Sequence, residues 1–361
     1  MSLTCGMVGL TACGKTTIYN AVTAAGAASF DGSEMHNAIV SVPDERLQAL
    51  AKVYNPARVV AATMRVVDIP GLKAGATDKP GRSTRLLQHI KDADALLHVV
   101  RCFTSDGLSS PGDVIDPVRD VETIDIEMMV ADSQTLQNKI ERLSKKVRSG
   151  DKDTIRQVED CEKIKKGLEQ GIPARRQGLK DREMASVREC NLVSLKLVLY
   201  LANIGSQDDA GNGCLKKLQA IAAADGSEVV TVYGRDEADI SQLNPTDRQE
   251  FLAELGLKES SMTRLLGAAY RKLGLVNFFT VGEDEVRAWT CRRGDKAPVA
   301  AGKIHTDMEK GFIRMEVIRY EDLMELGSEA AISKAGRQHL EGRNYEMQDG
   351  DIVAVRFSRG G

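Results

Sequence analysis

The segment "GLTACGKT", residues Gly9–Thr16, constrains the fold of this chain more than any other feature. It matches G-x-x-x-x-G-K-[ST], a loop whose glycines let successive backbone N–H groups turn inward around phosphates. In this pattern the lysine, here Lys15, contacts the β- and γ-phosphate oxygens, and the hydroxyl of Thr16 binds Mg²⁺. The alternative interpretation is a chance glycine-rich turn between a strand and a helix.

The residues on either side of this loop favour a phosphate site over a chance turn. "LTCGMVGL" has the pattern of a buried strand, and "TTIYNAVTAAG" has helical spacing and ends at a glycine. Phosphates would then lie at a helix N-terminus, where the helix dipole favours anions. The predicted nucleotide-binding residues of this segment are Gly9, Thr11, Ala12, Cys13, Gly14, Lys15, Thr16 and Thr17.

A second motif lies in "MRVVDIPGL", an apolar strand that ends at Asp68 and is followed by Gly71. A carboxylate at that strand end can hold Mg²⁺ through water, and a glycine amide there can contact a γ-phosphate. Alone, the motif is compatible with an ordinary D-x-P-G turn. Because it follows a phosphate loop, it predicts Mg²⁺ as cofactor with Thr16 and Asp68 as ligands, and Gly71 as a nucleotide contact.

Two further apolar runs, "ALLHVVR" and "LVLYLAN", have the pattern of fully buried strands. Strands that alternate with helices in this way predict a doubly wound, mostly parallel α/β sheet. The second run ends at Asn203, where a base-reading loop would follow. The nucleotide contacts predicted in this part of the chain are Asn203, Ile204, Ser206 and Gly234.

Length, charge and cysteine content limit the other function classes. A chain of 361 residues predicts two or three domains, and a net charge of −3 means that nucleic-acid contact would need a local basic patch. The seven cysteines include no C-x-x-C pair, which argues against a disulfide framework or zinc site and favours a reducing cytosol. "MSLTCGMVGL" predicts a first strand rather than a signal peptide, and no apolar run reaches transmembrane length.

The sheet pattern is interrupted between about residues 120 and 191 by helical periodicity. "RSGDKD" separates two helical runs, which predicts an antiparallel helical hairpin. The apolar seam of the first run is Leu136, Ile140, Leu143 and Val147, and that of the second is Val158, Ile164 and Leu168.

This helical region is locally basic, with thirteen Lys or Arg and eight Asp or Glu from Glu141 to Arg182. Two interpretations fit the excess: a solvated helix face, or an edge that faces a polyanion. The edge would be formed by Arg175, Arg176, Lys180 and Arg182.

After Asn277 the chain turns to short strands, "FFTVG", "EVRAWT", "FIRMEVI" and "DIVAVRF", which predict a small β-grasp domain. Within it, "GKIHTDMEKGFIR" is compatible with an RNA-facing strip or with a charged hairpin that packs on the domain of the phosphate loop. The strip would consist of Lys303, His305, Lys310, Phe312 and Arg314.

The chain resembles the YchF group, the Obg-like ATPases of the P-loop GTPase class. The resemblance is carried by "DIPGLKAGA", "HVVRCF", "EADISQL", "YEMQDGDIVAVRFS" and, above all, "EVRAWTCRRGDKAPVAAGKIHTDMEKGFIRMEVI". It implies a P-loop G domain at residues 1–120 and 192–276, a helical coiled-coil insertion at 121–191 and a TGS β-grasp domain at 277–361. It also implies slow nucleotide hydrolysis, commonly with ATP preferred to GTP, and association with ribosomes.

The departures from the family pattern lie at the nucleotide site. The family loop usually reads G-L-P-N-V-G-K-S, so Ala12 replaces an asparagine that can help to place a cation, and Cys13 replaces a valine. The family motif N-F-P-F-C-T-I has no counterpart in Ser29–Val40, which contains no threonine. Leu72 stands where Ras-like proteins have a glutamine, as is normal for the family.

Two further departures concern the reaction and the base. The family is thought to replace that glutamine by another residue, one candidate being a loop histidine, and Ser110 stands at about that place. The family base motif N-x-x-E reads Asn203 to Ser206 here, without a carboxylate at its end. Each change alone is compatible with neutral drift, but four changes clustered at one site make drift alone a weaker explanation.

Two function hypotheses follow. The first is a slow ATPase or GTPase that cleaves the β–γ phosphoanhydride and acts as a ribosome-associated switch, with Lys15 as the best candidate to stabilise the transition state. The second is a hydrolysis-deficient nucleotide-binding adaptor. In both cases we expect a cytoplasmic monomer that binds ATP or GTP, contacts the ribosome or RNA through its helical and TGS domains, and has no membrane association.

Overall fold

The computed structural model describes residues 3–25, 29–30, 37–70, 82–103, 115–147, 151–205, 213–254 and 259–358. The chain forms two compact units. The first comprises Met1–Val40 and Arg65–Ala268, and the second comprises Ser41–Met64 and Ala269–Gly361. Residues 41–64 therefore belong to the second unit although they lie in sequence between two strands of the first. The three-part domain division expected from the sequence stays a prediction.

The elements below are numbered in chain order. The strands are β1 (Thr4–Val8), β2 (Ser29–Phe30), β3 (Asn37–Ser41), β4 (Arg58–Val60), β5 (Thr63–Asp68), β6 (Ala95–Arg101), β7 (Leu197–Asn203), β8 (Val229–Val232), β9 (Leu275–Thr280), β10 (Glu285–Arg292), β11 (Phe312–Arg319), β12 (His339–Glu341) and β13 (Asp351–Phe357). The helices are α1 (Lys15–Ala25), α2 (Glu45–Tyr54), α3 (Arg82–Asp92), α4 (Pro117–Val147), α5 (Lys152–Glu169), α6 (Asp181–Val187), α7 (Cys214–Ala224), α8 (Gly234–Gln242), α9 (Pro245–Glu254), α10 (Ser261–Lys272), α11 (Ala297–Ile304), α12 (Thr306–Lys310), α13 (Tyr320–Leu326) and α14 (Glu329–Lys334). Short 3₁₀ turns follow α5 and α6.

The first unit is built on a seven-stranded sheet in the order β2-β3-β5-β1-β6-β7-β8. The pairs β1–β5, β1–β6, β6–β7 and β7–β8 are parallel, which confirms the predicted doubly wound sheet. The central strands β6 and β7 are almost wholly buried, as continuous apolar runs require in a parallel sheet. Parallel pairing brings the ends of β1, β5 and β7 to one edge, so the phosphate loop, Asp68 and Asn203 meet there.

The helical region forms the predicted hairpin inside the first unit. Helix α5 begins where the side chain of Asp151 accepts hydrogen bonds from the amides of Asp153 and Thr154, a capping arrangement that fixes the start of the helix. The facing apolar side chains then close a core of their own. Its buried members on the two long helices are Met129, Leu136, Cys161, Ile164 and Leu168.

The second unit contains a six-stranded sheet in the order β12-β11-β13-β9-β10-β4. The four C-terminal strands predicted from the sequence are present as β9, β10, β11 and β13. Strand β4 extends this sheet by pairing in parallel with β10. Helix α2 also packs on β10, so residues 41–64 contribute both an edge strand and a covering helix to the second unit.

One disulfide bond contradicts the expectation drawn from cysteine spacing. Cys102, just after β6, is bonded to Cys214, the first residue of α7, with a Cα–Cα distance of 5.8 Å. Both side chains lie in the core of the first unit. Cysteine pairing depends on this distance in space, which the 112 residues of sequence separation conceal. Within the described residues, we find no helix with the length and apolar character needed to cross a membrane.

Candidate nucleotide site

The loop between β1 and α1 is closed by glycines that no other residue could replace without displacement. A Cβ atom on Gly9 would lie 2.6 Å from Sγ of Cys13 and 2.8 Å from the carbonyl oxygen of Val99. Gly14 has a φ of +86°, and a Cβ there would lie 2.1 Å from Nδ2 of Asn203. The two motif glycines are therefore required by close packing and by left-handed backbone.

Ala12 also adopts left-handed backbone, with a φ of 65°. An L-residue with a Cβ atom pays about 1–2 kcal/mol for this conformation, and asparagine tolerates it better than alanine. The side chains of Thr11, Ala12, Thr16 and Thr17 are exposed around the loop. The loop therefore presents these four side chains at the surface, while its backbone at Ala12 and Gly14 is held in an uncommon conformation.

Lys15 and Asp68 form a largely buried ion pair, in which Nζ of Lys15 donates to Oδ1 of Asp68. Only 9% of the Lys15 side chain and 12% of the Asp68 side chain are exposed. The contact follows from the fold, because Lys15 begins α1 and Asp68 ends β5, which pairs with β1. The residue predicted to hold phosphate and the residue predicted to hold Mg²⁺ thus lie together.

Asn203 is buried and holds the phosphate loop from behind. Its Nδ2 donates to the carbonyl oxygen of Cys13 at 2.9 Å, and its Oδ1 accepts from the amide of Gly234 at 3.2 Å. Gly234 begins α8. The side-chain amide of Asn203 therefore connects three segments of the site, and its polar atoms are used by the protein.

Ile204 differs from the sequence expectation that its apolar face would contact a base. Its side chain is 1% exposed and packs in the apolar core of the first unit. Its amide donates to the carbonyl oxygen of Val232 at 2.9 Å. Strand β7 is buried continuously from Val198 to its end, so Ile204 continues the core instead of lining the ligand site.

The remaining predicted residues lie outside the part of the chain that the structure describes: Gly71, Leu72, Ser110 and Ser206. No group of three or more His, Cys, Asp or Glu side chains arranged for a metal ion occurs among the described residues. Mg²⁺ in nucleotide sites uses one or two protein oxygens, water and phosphate. The hydroxyl of Thr16 and the carboxylate of Asp68 are oxygen donors of this kind.

Cys13 is a small buried side chain of the loop rather than a reactive thiol. It is 2% exposed, and burial raises its pKa to about 11 despite the opposing effect of Lys15. A thiol with this pKa is protonated at neutral pH and is a poor nucleophile. Its Sγ packs against Gly9, so the side chain fills space inside the loop.

Two of the four side chains of the predicted polyanion-facing edge, Arg175 and Arg176, are engaged inside the protein, which corrects that interpretation for these two. Nη2 of Arg175 donates to both carboxylate oxygens of Asp125, at 2.6 and 2.8 Å, and its Nε donates to Asp225 at 3.0 Å. Arg176 pairs with the same Asp225. Arg182 pairs with the buried Asp160 at 2.6 Å. Arg175 and Arg176 are thus held by carboxylates of the protein itself, whereas Lys180 and Arg182 remain exposed.

This buried network also reaches the sheet, which the sequence did not indicate. The hydroxyl of Tyr200 on β7 donates to Asp225 at 2.5 Å, and the ring of His98 on β6 lies 5.6 Å from that of Tyr200. Burial, together with the charge of Arg175, lowers the pKa of His98 to about 3. The sequence showed only the adjacent pair of arginines, because the carboxylate partners of Arg175, Asp125 and Asp225, lie 50 residues away on each side.

The predicted RNA-facing strip of the second unit also differs from the expectation. Phe312 is 4% exposed and belongs to the core of that unit. Arg343 lies over its ring at 5.9 Å and donates to its carbonyl oxygen. His305 caps α12 by accepting from the amide of Asp307. The strip therefore lacks an exposed aromatic ring on which a base could stack.

Two family models match the chain. Residues 4–158 match the family described as "50S ribosome-binding GTPase". Residues 275–358 match YchF-GTPase_C, described as "Protein of unknown function (DUF933)". The first match contains the phosphate loop and Asp68, and the second contains the C-terminal strands on which the resemblance depended.

Similar proteins match along the whole chain. The "Ribosome-binding ATPase YchF" of Bacillus subtilis is 40% identical over 99% of this chain and 100% of its own length. The "Obg-like ATPase 1" of Oryza sativa subsp. japonica is 37% identical over 99% of this chain and 92% of its own. The structure of the Schizosaccharomyces pombe YchF GTPase has a TM-score of 0.85 and 31% identity, and the match covers 98% of both chains.

A GTP-binding protein of Pyrococcus horikoshii, with a TM-score of 0.62 and 19% identity, shows the same fold. The identity and coverage of the B. subtilis and S. pombe relatives are far beyond what a shared fold produces. Together with the phosphate loop and the neighbouring Asp68, they confirm the resemblance seen in the sequence. The chain belongs to the YchF family of nucleotide-binding P-loop proteins.

Proposed function

We propose that this protein binds a magnesium nucleotide, ATP or GTP, hydrolyses it slowly and acts in the cytoplasm as a monomeric, ribosome-associated switch. The observation that carries the proposal is the convergence of Lys15 and Asp68 at the mouth of a glycine-closed loop. Ribosome association is part of the proposal because relatives with whole-chain similarity carry the name "Ribosome-binding ATPase".

In this proposal the loop Gly9–Thr17 surrounds the phosphates with backbone N–H groups, and Lys15 neutralises the β- and γ-phosphates. Thr16 and Asp68 would hold Mg²⁺, directly or through water, and the ion would neutralise charge that develops on the phosphates. Gly71 would contact the γ-phosphate. The base would lie near Gly234 and Ser206, held by backbone groups and by an N-terminus of α8 that Asn203 positions.

The alternative is a nucleotide-binding adaptor without significant hydrolysis. It is favoured by the residues at positions 72 and 110, a leucine and a serine, where a water-orienting group would be sought. An oriented water or arginine finger contributes about 10³–10⁵ in turnover, so a protein without either should be slow. A wild-type rate typical of stimulated GTPases would exclude the adaptor, and Ser110→His tests whether a histidine restores the rate.

The experiment for nucleotide binding is a titration with ATP, GTP and their diphosphates, with and without Mg²⁺. Lys15→Ala should lose binding, since removing a buried charge-assisted contact costs about 2–5 kcal/mol. Lys166→Ala, which removes an exposed lysine on α5, is the matched control and should bind as the wild type does. Unchanged affinity in Lys15→Ala would reject the phosphate site. Co-sedimentation with purified ribosomes tests the second half of the proposal.

A further inference from the structure

The disulfide between Cys102 and Cys214 adjoins the residues that support the phosphate loop. The amide of Cys102 donates to the carbonyl oxygen of Asn203 at 2.9 Å, and the side chain of Asn203 is bonded to the loop. The next residue is Phe103, whose Cε1 lies 3.9 Å from the place that a Cβ atom on Gly14 would occupy. One half of the disulfide is therefore a single hydrogen bond away from the residue that holds the loop in place.

The other half of the disulfide begins a helix. Cys214 is the first residue of α7, and Leu218 and Ala222 of that helix pack in the same core as β6 and β7. The disulfide thus joins the end of β6 to the start of the helix that follows β7. Sγ of Cys214 lies 3.8 Å from the carbonyl oxygen of Arg101, so a thiol formed there by reduction has an acceptor at hand.

The remaining cysteines differ from this pair in their chemistry. All seven cysteines lie in the described part of the chain, and the other five are free and buried. Burial raises the pKa of each of these five thiols, which are Cys5, Cys13, Cys161, Cys190 and Cys291. Such thiols are protonated at neutral pH and react poorly. A disulfide in a cytosolic protein is usually transient and senses or transfers electrons, rather than being a permanent brace.

We propose that Cys102 and Cys214 form a redox-active site that regulates nucleotide affinity, with tighter binding in the oxidised form. The inference rests on the proposed nucleotide binding and deepens it by assigning its regulation. A covalent link next to Asn203 keeps the loop in its binding conformation, so less ordering is needed when the nucleotide binds. Coupling between two sites typically changes affinity about 5–150-fold, and we expect about fivefold here.

The reactant of this site is a dithiol reductant. One thiolate of the dithiol attacks Sγ of Cys102, the bond between the two cysteines breaks, and Cys214 leaves as a thiolate that takes up a proton. Cys214 is the expected leaving group because a helix N-terminus stabilises a thiolate. The second thiolate of the dithiol then displaces Cys102, which takes up the second proton. Two electrons pass to the protein, and the dithiol becomes a disulfide. Both sulfurs are buried, so the attack follows a local opening.

The first test compares the two redox forms of the full-length wild type. A fluorescent nucleotide with Mg²⁺ is titrated into the oxidised protein and into protein reduced with dithiothreitol, with both states verified by mass. The reduced form should bind about fivefold more weakly. Cys102→Ala/Cys214→Ala should bind as the reduced wild type does in both buffers. Cys161→Ala/Cys190→Ala, which removes two buried cysteines of the hairpin core, is the matched control and should keep the redox response.

The second test measures the coupling from the other side. Because coupling is reciprocal, nucleotide should shift the equilibrium between disulfide and thiols by the same factor. In buffers of reduced and oxidised dithiothreitol, fivefold corresponds to a midpoint about 20 mV more negative with nucleotide than without it, at 29.6 mV for each tenfold change. A midpoint that nucleotide does not move would overturn the inference. So would a midpoint below about −320 mV, the reducing limit of the cytosol, because the bond would then be permanent.

The binding titration also separates this inference from the proposed function. Absence of nucleotide binding in both redox forms would reject the proposed function and the coupling with it. Equal affinity in the two forms of the wild type would reject the coupling alone. Cys102 and Cys214 thiols that do not pair in any of the dithiothreitol buffers would likewise reject the redox site and leave nucleotide binding intact.

Discussion

Lys15 donates to Asp68 across the mouth of the phosphate loop, so two groups that a magnesium nucleotide uses separately are paired with each other. Phosphate attracts the lysine, whereas Mg²⁺ attracts the carboxylate. Binding must separate the pair, and part of the binding free energy is offset by that separation. The pair also keeps two charges satisfied in a site where only about a tenth of each side chain is exposed.

Asp68→Asn should therefore change how affinity depends on Mg²⁺. Without the carboxylate, Lys15 has no competing anion, so affinity for nucleotide in a chelating buffer should rise by about tenfold, the equivalent of one charge-assisted hydrogen bond. The gain in affinity that Mg²⁺ gives the wild type should disappear. Titration of a fluorescent nucleotide in Mg²⁺ and in chelator measures both effects. A variant that retains the Mg²⁺ dependence would show that Asp68 is not a metal ligand.

Asn203→Ala should weaken the binding of ATP and the binding of GTP by the same factor. The side chain supports the loop through Cys13 and Gly234, and its loss leaves buried polar groups unpaired at about 1–3 kcal/mol each.

The wild type should bind ATP as tightly as GTP or tighter, because Ser206 cannot supply the charged pair that guanine needs. Competition for one labelled nucleotide gives both ratios. A GTP preference beyond about a hundredfold would show that a carboxylate, such as Asp208, reads the base.

Ala12→Asn should stabilise the protein by about 0.5–1 kcal/mol, because asparagine tolerates the left-handed backbone that Ala12 adopts. The matched control is Ala223→Asn, at an exposed position within α7. There asparagine should destabilise by about half a kcal/mol through its lower helix propensity. Urea unfolding of the two variants should thus give shifts of opposite sign. Destabilisation by Ala12→Asn would mean that this backbone carries no relievable strain.

The buried His98 should make stability fall as the medium becomes acidic. Its folded pKa of about 3 is below its ordinary 6.5, so only the unfolded chain takes up the proton between these values. Stability is then lost as pH falls through 6.5, by up to about 1.4 kcal/mol per pH unit. Asp125 acts oppositely, since burial raises its pKa. Unfolding of His98→Asn between about pH 4.5 and 6.5 should show a shallower slope, while exposed His339→Asn should not.

Thiol labelling should separate the cysteines by their chemistry. Cys13 should resist iodoacetamide in the native protein at neutral pH, with or without nucleotide, because its thiol is buried and protonated. In denaturant without reductant, five cysteines should be labelled, and all seven after reduction. Mass spectrometry of peptides identifies the two late residues as Cys102 and Cys214. Labelling of these two without reductant would contradict the disulfide.

Much of the fold was accessible from the sequence because it rests on local patterns. Apolar runs such as "ALLHVVR" and "LVLYLAN" coincide with β6 and β7, and the seam that contains Leu136 and Leu143 is buried between the paired helices. The strand–loop–helix order around Lys15 then fixed the loop at the carboxyl edge of the sheet. Periodicity of 2 or 3.6 residues is visible within one segment, so these features need no knowledge of distant contacts.

The features that the sequence did not reveal all depend on distant partners. Arg175 has the composition of a polyanion contact until Asp125 and Asp225 are brought beside it. Cys102 finds Cys214 only through the packing of β6 against the start of α7. Ile204 follows β7, whose end is still inside the core. The position of Ile204 in the base motif therefore did not predict that its side chain is buried. Charge counts and motif spacing describe residue types, whereas these ion pairs, the disulfide and the burial of Ile204 depend on which residues are neighbours in the folded structure.

The segment 41–64 has a consequence for how this molecule could be divided. It supplies the second unit with β4 and with α2, whose Leu47 and Leu50 are buried. Asp44 accepts a hydrogen bond from Asn277, and Arg46 pairs with Asp349, both within that unit. A gene fragment that begins at residue 269 would encode a sheet without its edge strand and its covering helix. The coding sequence of the second unit is therefore discontinuous, because one part of it lies within the region that encodes the nucleotide-binding unit. A single recombination event could not transfer the second unit to another gene, or remove it from this one.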